Sequence, residues 1–251
     1  MELKIIAAAL LAGAAIGASA AEINVAVAAN FTAPAKELAA DYEKATGDKL
    51  VLSFGSTGNF YAQIKNGAPF DVLLAADDTT PAKAVKEGYG VEGTTFTYAI
   101  GKLVLWSSDA NLIKGDAKVL TTDAVKHIAV ANPKLAPYGL AAHETMDKLG
   151  IKAAITPKIV EGDNISKTFQ FVSTGNAEAG FIALSQCYKD GKMTSGSGWI
   201  IPQEYYNPIA QDAVLLKKGG KNEAAKKFLE YLRTSEKAAQ VRAAYGYDTA
   251  K

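Results

Sequence analysis

Four short turns in the 251-residue chain set small polar residues and glycine where an extended run gives way to a helical one. They are Ala29-Asn30, Gly55-Ser56-Thr57-Gly58, Pro137-Tyr138-Gly139 and Asp163-Asn164-Ile165. The first N–H groups of a helix have no partner inside it, and aligned peptide dipoles leave partial positive charge there. Several such ends aimed at one point hold an anion without any charged side chain. Asn30 and Ser56 can add side-chain donors. Each turn alone is an ordinary helix start, because Asn, Ser and Asp are common caps. Taken by themselves, the residues point to an anion or small polar ligand held in a cleft.

Enzyme chemistry has less support. Ser56 lies in Phe54-Gly55-Ser56-Thr57-Gly58, where Phe54 stands in the place of the first glycine of a nucleophile elbow. A serine hydrolase built on Ser56 is thus the remote alternative, and no catalytic residue is assigned. No phosphate-binding loop with its lysine is present. The two histidines, His127 and His143, fit no zinc spacing, so no metal ligand is assigned. Asp77-Asp78 precedes Thr79-Thr80-Pro81 and reads as a helix cap rather than a cation site. Cys187, the single cysteine, follows an apolar run and reads as a small buried hydrophobe. No cofactor is expected.

The elements that must position these turns alternate along the chain. Extended runs are predicted at 23–28, 49–54, 70–76, 98–106, 127–131, 158–160, 180–185 and 213–216. Helices are predicted from Phe31-Thr32 to Gly47, over 59–66, from Pro81 to Gly88, from Gly139 to Gly150, over 165–173, and over 222–232 and 235–245. Leu38, Ala39, Tyr42 and Ala45 share one face of the first helix. The stretch 191–208, with three glycines and two prolines, reads as surface loop. Strand–helix alternation implies an α/β fold with mostly parallel sheets, in which such turns gather at the carboxyl ends of the strands. The length suits two lobes.

Composition narrows the class. Hydrophobic residues make up 49%, charged residues 21%, and the formal net charge is +1. That balance is globular and gives no basic surface for a nucleic-acid partner. Lys4, the apolar run Ile5–Ile16 and Gly17-Ala18-Ser19-Ala20 have the order of a secretory leader peptide cleaved after Ala20. One cysteine in an exported chain leaves no internal disulfide, so the core must hold the fold.

At the same turns the chain resembles the molybdate-binding periplasmic proteins of ABC importers, the ModA family. The resemblance rests on Val25–Phe31, Phe54–Gly58, Asn66–Val72, Ala131–Gly139, Gly162–Ile165, Gly180–Ala183, Phe228–Leu232 and Tyr245–Tyr247, and covers the chain beyond the leader. It implies a type II periplasmic binding fold of two α/β lobes with mixed, mostly parallel sheets joined by hinge strands. Residues 1–20 would be the signal peptide, 21–101 with 209–251 the first lobe, and 102–208 the second. The implied function is capture of molybdate or tungstate between the lobes and delivery to an ABC transporter permease, by a periplasmic monomer that is not an enzyme. Sulfate or phosphate is the alternative ligand. Carried over, the oxyanion site is Asn30 and Ser56 from the first lobe with Tyr138 and Ile165 from the second, the last two acting chiefly through backbone N–H. Asn30 stands where many members have serine, and Ala183 where many have tyrosine. A donor-only site should also reject a protonated oxyanion, whose proton needs an acceptor. Glu161 and Asp163 flank one turn; Asp163 is expected to cap its helix instead of pointing inward.

Overall fold

The structure, a computed structural model, describes residues 20–249. The expected leader peptide falls almost wholly outside that range. Alternating apolar runs and helical patterns fold into two five-stranded sheets. The first comprises β1 (Glu22–Ala28), β2 (Lys49–Gly55), β3 (Val72–Leu74), β4 (Phe96–Gly101) and β12 (Ile209–Leu215), in the order β2-β1-β3-β12-β4. The second holds β5 (Leu103–Ser107), β6 (Ile128–Ala131), β7 (Ile159–Gly162), β8 (Ala179–Ala183) and β11 (Ser197–Ile200), in the order β11-β5-β8-β6-β7. A small hairpin pairs β9 (Tyr188–Lys189) with β10 (Lys192–Met193).

Side chains alternate between the faces of each strand, and both faces of both sheets are covered. On the first sheet, Ile23, Val25 and Val27 pack with Leu38 and Tyr42 of α1 (Thr32–Thr46) and with Phe228 and Leu232 of α7 (Glu223–Thr234); Val241 of α8 (Glu236–Ala244) joins them. Ala26 and Leu73 face the other way, toward Phe60 and Ile64 of α2 (Thr57–Lys65) and Val85 of α3 (Thr79–Lys86). On the second sheet, Leu103, Leu105, Val130 and Phe181 meet Tyr138, Ala142 and Met146 of α4 (Pro137–Lys148), with Ile155 of the short α5 (Lys152–Ile155). Val104, Ala129 and Ile182 meet Val172 of α6 (Ile165–Ser173). Each fully buried aliphatic or aromatic side chain is worth about 1.5–3 kcal/mol over its exposed state. Gly47 ends α1 in the left-handed conformation, at φ 80°, as the sequence predicts. Ala45 is exposed, so the apolar face of α1 stops at Tyr42.

Three features depart from the sequence reading. The run predicted as one strand over 98–106 is two strands in two sheets, because the chain passes from one sheet to the other at Lys102. The stretch 191–208 is not all loop, since β11 pairs antiparallel with β5 at the edge of the second sheet. Parallel and antiparallel pairings are equally frequent in the two sheets, an evener balance than strand–helix alternation implies. Every antiparallel pair there involves β5 or β12, the strands that begin just after the chain crosses between sheets.

Candidate functional site

Four parallel strands end where the four turns begin. β1 ends at Ala28, before a single 3-10 turn (Ala29–Phe31) that runs into α1; β2 ends at Gly55, before α2. In the second sheet β6 ends at Ala131, ahead of α4, and β7 at Gly162, ahead of α6. The ends of the two sheets face each other across a cleft. One cavity there is lined by Ala28, Ala29, Asn30, Gly55, Ser56, Thr57, Ala76, Ala136, Pro137, Tyr138 and Ile165. The structure thus brings Asn30, Ser56, Tyr138 and Ile165 to one cavity, and all four are buried. The cavity volume is only about 10 Å³, which leaves no room for a sugar or peptide.

The helix ends are left open in a telling way. Ser56 is the N-cap residue of α2, yet its side chain makes no capping hydrogen bond. Its Oγ is buried and has no partner; among the described residues only Arg242 Nε shares that condition. Buried polar groups are nearly always satisfied, so an unpaired hydroxyl in a cavity wall marks a place for a ligand atom. Ala136, the N-cap of α4, has no side chain that could cap. Pro137 has no N–H, and Gly139 and Leu140 N–H donate to the Ala136 carbonyl at 2.8 and 3.3 Å, which leaves the Tyr138 N–H of the first turn for whatever enters. Thr57 accepts from Ala76 N–H at 3.0 Å, fixing the start of α2 against the chain after β3.

Asn30 lines the cavity, but its amide hydrogens are spent elsewhere. Nδ2 donates to Gln211 Oε1 at 2.8 Å and to Tyr247 Oη at 2.9 Å. Both side-chain N–H groups of Asn30 are thus engaged within the protein. Tyr138 turns its hydroxyl away as well, where it accepts from Gln211 Nε2 at 3.0 Å. Asp163 does not cap α6: Asn164 does, accepting from Lys167 N–H at 3.0 Å, while Asp163 is exposed. One residue of register decides this, because a cap must have extended backbone at the residue before the first helical turn. Glu161 is exposed and accepts from Asn132 Nδ2. The N-cap residue of α3 is Asp78, whose side chain makes no capping bond; Asp77, one residue earlier, accepts from Thr80 N–H and from the Thr79 and Thr80 hydroxyls.

The electrostatics are those of a neutral donor cage. No Asp, Glu, His, Lys, Arg or Cys lines the cavity. Burial holds the Tyr98, Tyr138 and Tyr247 hydroxyls above the ordinary phenol range, so they stay neutral. Cys187 lies apart in the core beside β8, and burial pushes its thiol up to about 12, which makes it inert. Wider grooves exist, such as the one lined by Phe96, Leu229 and Arg233. Among the described residues, none of them holds an unpaired buried polar side chain.

The two sheets are in contact around the cavity. Gly58 N–H donates across the cleft to Leu135 carbonyl at 3.0 Å, Ser185 Oγ donates to Asn30 carbonyl at 2.8 Å, and Ser166 Oγ donates to Ala29 carbonyl at 3.3 Å. A closed cleft of this kind excludes water from the space between.

Comparison with known proteins points the same way. Residues 23–248 match the model of a family described as bacterial extracellular solute-binding proteins. The molybdate-binding protein ModA of Azotobacter vinelandii is 57% identical over 93% of this chain and 92% of its own length. That of Rhodobacter capsulatus is 51% identical over 96% of this chain and 94% of its own. A solved structure of an Azotobacter vinelandii periplasmic molybdate-binding protein superposes with a TM-score of 0.87 at 38% identity, covering 91% of this chain and all of that one.

Proposed function

Because the chain belongs to the bacterial extracellular solute-binding proteins and to their molybdate-binding ModA branch, we propose that it captures molybdate in the cavity between its two sheets. The ligand would be held by backbone N–H groups at Asn30, Tyr138 and Ile165 and by the Ser56 hydroxyl. The protein would then release it to an ABC transporter permease from the periplasm, as a monomer. Sheet membership supports residues 21–101 with 209–251 as one lobe and 102–208 as the other. Tungstate, a dianion of the same shape, would fit the same donors.

One observation carries this reading: a buried serine hydroxyl without a partner, set at an uncapped helix start in a cavity free of charged side chains. A dianion taken out of water needs its oxygens satisfied. Each hydrogen bond to a charged group is worth about 1.5–3 kcal/mol, so the four donors together supply roughly 6–12 kcal/mol against the cost of ordering the ligand. The lack of an acidic side chain in the wall leaves nothing strong to accept the proton of hydrogen phosphate. A hydrolase reading gains nothing, because no histidine lines the cavity to activate Ser56.

Competition calorimetry on the purified protein tests the proposal. Molybdate should bind, tungstate should displace it, and a hundredfold excess of sulfate or phosphate should not. No wall residue titrates between about pH 6 and 9, so molybdate affinity should be flat across that range. Equal displacement by sulfate or phosphate would move the assignment to another oxyanion. Absence of any oxyanion heat would defeat it.

A further inference from the structure

Behind the cavity wall lies a polar cluster that no anion touches. Gln211, on β12, is fully buried at the core of the first sheet. Its pairing with β4 shifts register between Gln211 and Asp212, and such an irregularity re-aims a side chain out of the regular pleat. Its Oε1 accepts from Asn30 Nδ2 at 2.8 Å and from Tyr98 Oη at 3.1 Å. Its Nε2 donates to Tyr138 Oη at 3.0 Å. One amide thereby grips a cavity residue from each side: Asn30 at the end of β1, and Tyr138 in the first turn of α4, which packs on the other sheet.

The chain makes room for this grip. Gly101, where β4 ends and the crossing begins, lies against both groups. A Cβ there would collide with Tyr138 Oη and stand 2.5 Å from Gln211 Nε2. The ring of Tyr138 therefore works as a strut, with its N–H end at the cavity and its hydroxyl end at the crossing strand.

We infer that Gln211 is a positioning residue for the oxyanion site, orienting Asn30 and the start of α4 at once and so coupling the two halves of the cavity. The inference rests on the oxyanion reading above. Gln211 touches no ligand. A buried amide gains little by being there unless it is hydrogen-bonded, and here two bonds hold groups of its own sheet, Asn30 and Tyr98, while the third reaches across to Tyr138. Losing the grip leaves Asn30 and Tyr138 each free to settle on its own side, and the ordering must then be supplied when the anion binds.

The test uses Gln211→Leu, Tyr138→Phe and the double variant, with sodium molybdate as ligand. Calorimetric affinity, dissociation rate and the melting temperature of the unliganded protein are measured for each. Tyr138→Phe removes only the hydroxyl and keeps the backbone N–H. We expect affinity to fall about tenfold in Gln211→Leu and about threefold to tenfold in Tyr138→Phe, mostly as faster dissociation. The double variant should be no weaker than Gln211→Leu, because both changes cut the same link. A purely structural role would lower the melting temperature and leave affinity alone, or give losses that multiply in the double variant; either result overturns the inference. Should Gln211→Leu fail to fold, wild-type affinity and dissociation in Tyr138→Phe overturn it equally. Wild-type protein that binds no molybdate would instead defeat the oxyanion reading itself.

Discussion

Ser56→Asp is expected to abolish molybdate binding while the protein stays folded, and Ser56→Ala to weaken binding about 10-fold to 100-fold with no loss of stability. The Ser56 hydroxyl has no partner among the described residues, so alanine removes no hydrogen bond seen to hold the unliganded fold together. It relieves a buried unsatisfied group, and the melting temperature without ligand should stay level or rise slightly. With ligand, one charge-assisted hydrogen bond worth about 1.5–3 kcal/mol is missing, and each 1.4 kcal/mol is a factor of ten. Aspartate does more, since it sets a carboxylate against a dianion. At 4 Å and an effective dielectric constant near 20, each pair of unit charges costs about 4 kcal/mol, so the loss should exceed roughly a thousandfold. Calorimetry and thermal melts on the same preparations check both halves. Unchanged affinity in Ser56→Ala would remove Ser56 from the site.

Gly139→Ala should be the most damaging single methyl group near the cavity. A Cβ at position 139 would collide with the carbonyl of Ala131 and approach the carbonyl carbons of Ala131 and Asn132 to 2.8 and 2.9 Å. These are main-chain atoms at the end of β6 and cannot swing aside. The first turn of α4 must move instead, and it carries the Tyr138 N–H. Overpacking of this kind costs about 1–3 kcal/mol, or several degrees of melting temperature in a chain of this length. Affinity should drop about tenfold or more, as the N–H leaves the line of the anion. Leu140→Ala, one residue on and 52% exposed, should change neither quantity. Wild-type stability and affinity in Gly139→Ala would show that α4 is not pinned by β6.

Much of this was legible in the sequence. The α/β class and the elements flanking the four turns follow from the alternation of runs, whereas the set Asn30, Ser56, Tyr138 and Ile165, drawn from two lobes, came from the family resemblance; the structure lines one cavity with all four. What escaped has a common cause. The run 98–106 is apolar apart from Gly101-Lys102, and that short interruption alone does not tell a break between two sheets from an irregularity within one strand. β11 is four residues with a glycine, and only its pairing with β5 makes it a strand. Asp163 and Asn164 are both good caps, and which one serves depends on a single residue of backbone phase. The fate of the Asn30 amide was set by Gln211, 181 positions away, which no local spacing announces. Gln211 itself gave one faint signal, standing with Asp212 as a polar pair in a strand whose other five residues are apolar.

The main-chain bond from Gly58 to Leu135 bears on how such a protein changes over generations. Both partners belong to the peptide backbone, so side-chain replacement at Leu135 leaves the donor and acceptor intact. Only at position 58 does chemistry intrude, because a Cβ would press on Leu135 at 3.1–3.2 Å. That one stitch is thus shielded from most genetic drift, whereas the Ser166 and Ser185 hydroxyls that close the cleft beside it can be lost by a single replacement.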